Sequence, residues 1–244
     1  MKAMIFAAGL GTRLKPFTNH HPKALAMVNG KSLLQRNVEY LQQFGISEVL
    51  VNVHHFADQI VNAVEANNGW GSQITISDET DAVLETGGGL KKAAWYFQSE
   101  SSFVVMNADM LTNMNLAAMQ LQHQQQMPLA TLAVTNRVSS RYFLFNQQQQ
   151  LCGWKNTQTN EEKGPVTNYT EIQKQTLLPK AFSGIQILQS SIFSEIIQEG
   201  KFSIVDVYLH VCSSQAITSF DHSESLLIDV GKPENIIKAE SLFK

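Results

Sequence analysis

Cysteine is scarce in this chain: Cys152 and Cys212 are the only two among 244 residues. They lie far apart and in no Cys-x-x-Cys spacing, which argues against a disulfide scaffold or a thiolate zinc site and leaves them as small buried hydrophobes. Long apolar runs are missing too. The N-terminal run at residues 4–8 is cut by Gly9, Gly11 and Arg13, too short for a signal-peptide core or a membrane span, so the protein is expected in the cytoplasm without membrane contact. There is no excess of positive charge. At a formal net charge of -3 the chain has no global basic field to draw it to nucleic acid or anionic lipid, and any phosphate-binding charge must be local. Nothing repeats at a fixed period, which removes the solenoids.

What is present is a core-forming composition, 43% hydrophobic, enough for a single domain spanning residues 1–244. Short apolar runs at 4–8, 49–53 and 74–77 alternate with helical patterns at 32–44 and 58–67, the rhythm of βαβ units and of an α/β layered fold. The first helix puts Leu34, Val38 and Leu41 on one stripe and Gly45 at a left-handed C-terminal cap. A strand at 103–106, a helix at 116–126 and a strand at 129–134 continue the pattern. Beyond it, strands at 142–145 and 151–154 flank the glutamines 147–150, read as a solvated turn between antiparallel strands, so the sheet is expected to be mixed. The polar segment 156–167, with Gly164 and Pro165, is the expected mobile loop near a site. A strand at 182–188, helices at 191–198 and 205–212, a strand at 216–220 and a helix at 233–243 complete the reading.

The turn after the first strand reads Gly9-Leu10-Gly11-Thr12-Arg13-Leu14-Lys15-Pro16. Glycines there let backbone N–H groups converge on an anion, and the Arg13 fork matches phosphate oxygens. It is not a dinucleotide fingerprint, because Leu14 stands where the third glycine belongs, and not a Walker loop, because Pro16 follows Lys15. Pro22-Lys23-Ala24-Leu25 offers a second cation. The pairs His20-His21 and His54-His55 are not read as metal or acid–base groups, since neighbours on a strand face opposite sides.

Together, Ala7-Ala8-Gly9-x-Gly11-Thr12-Arg13 and Pro22-Lys23-x-Leu25 closely resemble the signature of the sugar nucleotidyltransferases. The resemblance covers essentially the whole chain. It implies a Rossmann-like three-layer α/β/α nucleotidyltransferase fold with a mixed, mostly parallel central sheet. It further implies transfer of a nucleoside monophosphate from a nucleoside triphosphate to a sugar 1-phosphate, with release of pyrophosphate. Arg13, Lys23 and Asp109 would be catalytic, and Ala8, Gly9, Gly11, Thr12, Arg13 and Lys23 would hold the nucleotide. Leu84-Glu85-Thr86-Gly87-Gly88-Gly89 looks like the family loop beside base and sugar, adding Glu85, Gly87 and Gly88 to the nucleotide side and Thr86 to the sugar side. Asn107-Ala108-Asp109 looks like the first metal ligand with Asn107 towards the sugar. Asp229, in Ile228-Asp229-Val230-Gly231-Lys232-Pro233, resembles the second ligand of a Mg²⁺ ion. Leu227 replaces the usual aromatic residue and Lys232 the usual threonine. Gly184 in Phe182-Ser183-Gly184-Ile185 would back the sugar, and Lys155 and Glu171 would reach its phosphate and a hydroxyl.

Within the family, the short chain is similar to the compact N-acetylmuramate-1-phosphate uridylyltransferases and mannose-1-phosphate guanylyltransferases, and the triple glycine leans towards the first. Neither base nor sugar is named by the sequence, and a monomer and a homodimer fit equally. Two alternatives stand: a cytidylyltransferase acting on an alcohol phosphate such as phosphocholine, and an inactive regulatory subunit that binds nucleotide sugars. The chemistry itself asks for little. A phosphate nucleophile needs no general base, and two polyanions must be brought together against their repulsion. Asp109 and Asp229 suit Mg²⁺, and without metal the two carboxylates are expected to repel each other.

Overall fold

The computed structural model describes all 244 residues. In chain order its main elements are β1 (Ala3–Phe6), α1 (Leu33–Gln42), β2 (Glu48–Val53), α2 (Ala57–Ala66), β3 (Gln73–Asp78), α3 (Glu85–Lys92) and β4 (Ser102–Asn107). β5 (Met110–Thr112), α4 (Leu116–Gln126), β6 (Ala130–Thr135), β7 (Arg141–Phe145), β8 (Leu151–Asn156), β9 (Glu162–Lys163) and β10 (Leu178–Gln189) follow. The chain closes with α5 (Ile204–Val211), β11 (Ile217–Asp221), β12 (Leu227–Asp229) and α6 (Pro233–Leu242).

These form a 10-stranded sheet in the order β9-β8-β7-β10-β4-β1-β2-β3, with β6 on β10 and β11 on β6. β3, β2, β1 and β4 are mutually parallel, β10 runs against β4, and β6 and β11 run against β10, so β10 is the reversed strand of an otherwise parallel central sheet. The expected mixed, mostly parallel arrangement holds. The side-chain alternation of the strands feeds two cores. Met4, Leu50, Phe103 and Val105 join Leu90 of α3 and Ile204, Val207 and Tyr208 of α5 on one face. Ile5, Val49, Val51, Val104 and Met106 join Leu34 and Val38 of α1, Ile60 of α2 and Leu116 of α4 on the other. Three layers result.

Local chemistry explains the boundaries. Ser32 caps α1 by accepting from the Gln35 N–H at 3.1 Å, and Gly45 takes φ +73 just beyond its end. The glutamines sit at an exposed hairpin tip with Gln149 at φ +61. Two expectations fail. The helix at 191–198 shrinks to Ile192–Glu195, because the chain turns extended at Ile196. The segment 156–167 is no loop beside the site: it carries β9 and a 3₁₀ turn over Pro165–Asn168, pinned by the fully buried Val166, and none of it lines the main cleft. No helix is long and apolar enough to cross a membrane.

Two buried imidazoles tie the fold to pH. His123 meets Thr131 Oγ1 at 2.8 Å, His222 meets Ser183 Oγ at 2.7 Å, and burial pushes both rings down to about 4. A base whose folded value lies below its unfolded one near 6.5 costs nothing above that pH and destabilises as pH falls through the window. Each should cost on the order of 3 kcal/mol by pH 4. Thermal denaturation between pH 7 and pH 4 should show a steep fall in Tm, and a flat profile would contradict the assignment.

Candidate active site

A cleft of about 560 Å³ opens at the carboxyl edge of β1, β2 and β4, where open α/β sheets gather their ligands. Its floor is the turn after β1. Gly9 faces open space, so nothing separates its backbone from a ligand. Gly11, at φ +63, is held by the Thr18 hydroxyl donating to its carbonyl at 2.9 Å, and a Cβ there would lie 2.8 Å from Thr18 Cγ2. Leu14, the residue that spoils a dinucleotide fingerprint, is 1% exposed and packs with Val28, Leu33, Leu111 and Val230. It anchors the loop while Ala8, Gly9, Gly11, Thr12 and Arg13 stay on the cleft wall.

Asp109 and Asp229 meet through a short ladder. Asp229 on β12 pairs with Met110 on β5, and the Val230 N–H donates to the Asp109 carbonyl at 2.8 Å, so residues far apart in sequence become neighbours. Each carboxylate faces a cation. Lys23 Nζ donates to Asp109 Oδ2, and Arg13 Nη2 lies 3.5 Å from Asp229 Oδ2. The expected repulsion between bare carboxylates is therefore not what the site contains: two ion pairs compensate it. The other oxygen, Asp229 Oδ1, is buried without a partner. Gly231 makes room for it, since a Cβ would come within 2.5 Å of Oδ1 and 2.8 Å of Arg13 Nη2. Asp229 does not cap α6, which has no side-chain cap.

The glycine triplet departs from its expected role. Gly87, Gly88 and Gly89 lie inside α3 and are buried, and neither Gly87 nor Gly88 lines the cleft. Their missing side chains make room for protein. A Cβ on Gly87 would meet the Phe202 ring at 2.4 Å, and one on Gly88 would meet the Gly200 carbonyl oxygen at 2.2 Å. The segment 200–204 is strapped across α3 by Gly87 N–H to Phe202 O at 2.9 Å, Phe202 N–H to Leu84 O at 3.2 Å and Ile204 N–H to Thr86 Oγ1 at 3.0 Å. Thr86 thus lines the cleft with its hydroxyl already engaged. Glu85 enters the cleft at φ +58, a strained backbone for a residue with a side chain, and pairs with Lys201 at 3.5 Å.

A model of the family described as nucleotidyl transferase matches residues 2–243 of this chain. The chain belongs to that family. It is 46% identical over 93 residues to the N-acetylmuramate alpha-1-phosphate uridylyltransferase of Caulobacter vibrioides, covering 37% of this chain and 38% of that protein. It is 24% identical over 246 residues to the mannose-1-phosphate guanyltransferase of Yarrowia lipolytica, covering 100% of this chain and 64% of the relative. The matches thus span between about four-tenths and about two-thirds of these two relatives. Among solved structures, the HddC protein of Yersinia pseudotuberculosis, complexed with GMP-PN, superposes with a TM-score of 0.78 at 24% identity, covering 100% of this chain and 99% of that one. A putative glucose-1-phosphate thymidylyltransferase from Bacillus anthracis reaches 0.81 at 18% identity, covering 99% of this chain and 94% of that one.

In this nucleotidyl transferase the cleft gathers Ala8, Gly9, Gly11, Thr12, Arg13, Lys23, Glu85, Thr86, Asn107 and Asp109, with Asp229 behind Arg13. Three sugar-side expectations fall outside its lining. Lys155 on β8 is paired with Glu162 at 3.3 Å. Glu171 projects into solvent from the short helix Glu171–Gln175, 3.3 Å from Lys174. Gly184 lies beneath the floor: at φ +71 in the bulge of β10, it leaves the space that Asn107 Nδ2 occupies 2.6 Å from where its Cβ would be. Conversely, Asn52, Val83, Lys201 and Ser203 line the cleft without having been singled out. Asn52 had a usable signal, a polar residue in an apolar strand ending at the carboxyl edge, whereas the strap residues had none.

Proposed function

We propose that this chain transfers a nucleoside monophosphate from a nucleoside triphosphate to a sugar 1-phosphate, releasing pyrophosphate. One observation carries the reading: Arg13, Lys23 and Asp109 meet around a glycine turn in one cleft, and a second carboxylate, Asp229, pairs with Arg13 at its edge. Arg13 and Lys23 hold the triphosphate, and the Arg13 fork grips two oxygens of the departing pyrophosphate. The turn around Gly9 and Gly11 brings backbone against the nucleotide. The acceptor phosphate is itself the nucleophile, so no side chain need take a proton, and positioning with charge neutralisation does the work. Asn107 faces the acceptor and Glu85 the nucleotide as hydrogen-bonding groups.

The donor set also suits Mg²⁺. Two carboxylates with one unpartnered buried oxygen match a small hard cation that keeps most of its shell for water and phosphate, and no group of three His, Cys, Asp or Glu competes to form a protein cage. Asp109 and Asp229 would hold the ion, which supplies positive charge to the reacting phosphates when bound. With the carboxylates so engaged, Lys23 and Arg13 would be free to pair with the triphosphate. An inactive binding subunit would have no use for this paired arrangement.

The test is a pyrophosphate-release panel crossing each nucleoside triphosphate with N-acetylmuramate, mannose and glucose 1-phosphates and with phosphocholine, with and without Mg²⁺. A sugar 1-phosphate should support Mg²⁺-dependent release with one preferred base. Release with phosphocholine alone would move the protein to the alcohol-phosphate class, and no release in any arm would favour a regulatory subunit.

A further inference from the structure

We propose that Asn52 and Glu79 form a positioning pair that aims the backbone leaving β1 and so sets the affinity for the nucleoside triphosphate. The inference rests on the assignment of the first loop to that substrate. Phe6, the last residue of β1, is level with Asn52 on β2. At Ala7, where the strand has ended, the N–H donates instead to the Asn52 side chain, to Oδ1 at 2.8 Å. Ala7, Ala8 and Asn52 all line the cleft, so this one hydrogen bond fixes the direction in which the loop starts.

An amide side chain has two unlike ends. Turned over, Asn52 would push its NH₂ against the Ala7 N–H, donor against donor. The ionised Glu79 carboxylate forbids this, because its Oε1 accepts from Asn52 Nδ2 at 2.8 Å and, carrying no proton, cannot satisfy the carbonyl end. The pair is sealed: Asn52 is 2% exposed and Glu79 1%. Gly89 of α3 leaves the space, since a Cβ there would lie 2.7 Å from Glu79 Oε1 and 3.0 Å from Asn52 Nδ2. Glu79 is held from behind as well, its N–H on Val53 O at 2.8 Å and its carbonyl accepting from His54 Nδ1 at 2.6 Å.

The charged and titratable groups around its carboxyl are His54 after β2, Asp78 on β3 and Lys92 on α3, and burial pushes the carboxyl above its ordinary value. Glu79 does not line the cleft and acts only through Asn52, which makes it a positioning residue rather than a catalytic one.

The chain of donors and acceptors can be broken and rebuilt. Asn52→Asp keeps the acceptor for Ala7 but sets a second acceptor against Glu79. At pH 8 it should raise KM for the nucleoside triphosphate about tenfold while KM for the sugar 1-phosphate stays within about twofold. The defect should shrink as the pH is lowered, because two facing carboxyls can then share a proton. Asn52→Asp with Glu79→Gln reverses the polarity of the contact, because the new amide donates to the new carboxylate. Nucleotide KM, Tm and a flat pH profile should return together. An unchanged nucleotide KM at pH 8 in Asn52→Asp, or a double variant no better than the single one, would overturn the proposal. A rescuable rise confined to the acceptor KM would instead overturn the triphosphate assignment of the loop, so the two failures are distinguishable.

Discussion

Asp109→Asn should lower turnover by about 10²–10³-fold, and it should also lower the Tm of the metal-free protein by several degrees. The first effect follows from the role proposed for Asp109 in holding Mg²⁺, the second from its pairing with Lys23. The two side chains are only 14% and 19% exposed, so deleting the carboxylate charge strands a largely buried ammonium, at a cost of about 1–3 kcal/mol. Asp229→Asn should be as damaging to turnover but should leave the metal-free Tm unchanged or raise it. Its partner Arg13 is 57% exposed, an ion pair that solvent makes nearly worthless for stability, and the buried unpartnered Oδ1 is a liability relieved by removing charge. Matching Tm losses in both variants, or near-normal Mg²⁺-dependent turnover in either, would contradict this account.

Gly88→Ala should destabilise the protein by about 2–3 kcal/mol, against the rule that alanine in place of a helical glycine gains up to about 1 kcal/mol. The reason is the strap. The added methyl would fall 2.2 Å from a backbone oxygen, Gly200 O, which no rotamer change can move aside, so the segment must lift from α3. With it go the Phe202 and Thr86 hydrogen bonds and the placement of Lys201 and Ser203 in the cleft. A rise in the acceptor or nucleotide KM should accompany the fall in Tm. A more stable variant with unaltered kinetics would show that the glycines serve something other than the strap.

The parts of this molecule that were readable from sequence are those encoded locally. The apolar run before Gly9, the stripe of Leu34, Val38 and Leu41 closed by Gly45, and the cation-bearing turn with Arg13 all declare themselves within one element. Asp109 was readable because it follows a strand that must end at the carboxyl edge. What was hidden depends on partners far along the chain. Three consecutive glycines say that something comes close but not what, and here it is the Phe202 ring, the Gly200 carbonyl and the Glu79–Asn52 pair rather than a ligand. The ion pair of Arg13 with Asp229 requires the three-residue ladder of β5 and β12, too short to show a period. Lys155 and Glu171 were placed on the sugar by resemblance alone, and their side chains pair with Glu162 and Lys174 instead.

On the proposed mechanism a phosphate on the acceptor attacks the α-phosphorus of the nucleotide. This attack is tested most directly by supplying the preferred sugar 1-phosphate with its phosphate oxygens labelled by ¹⁸O, alongside the same sugar without phosphate. The account predicts no pyrophosphate from the free sugar, unlabelled pyrophosphate from the 1-phosphate, and all of the label retained in the nucleotide sugar. Equal pyrophosphate release from the free sugar, or label lost from the product, would contradict it.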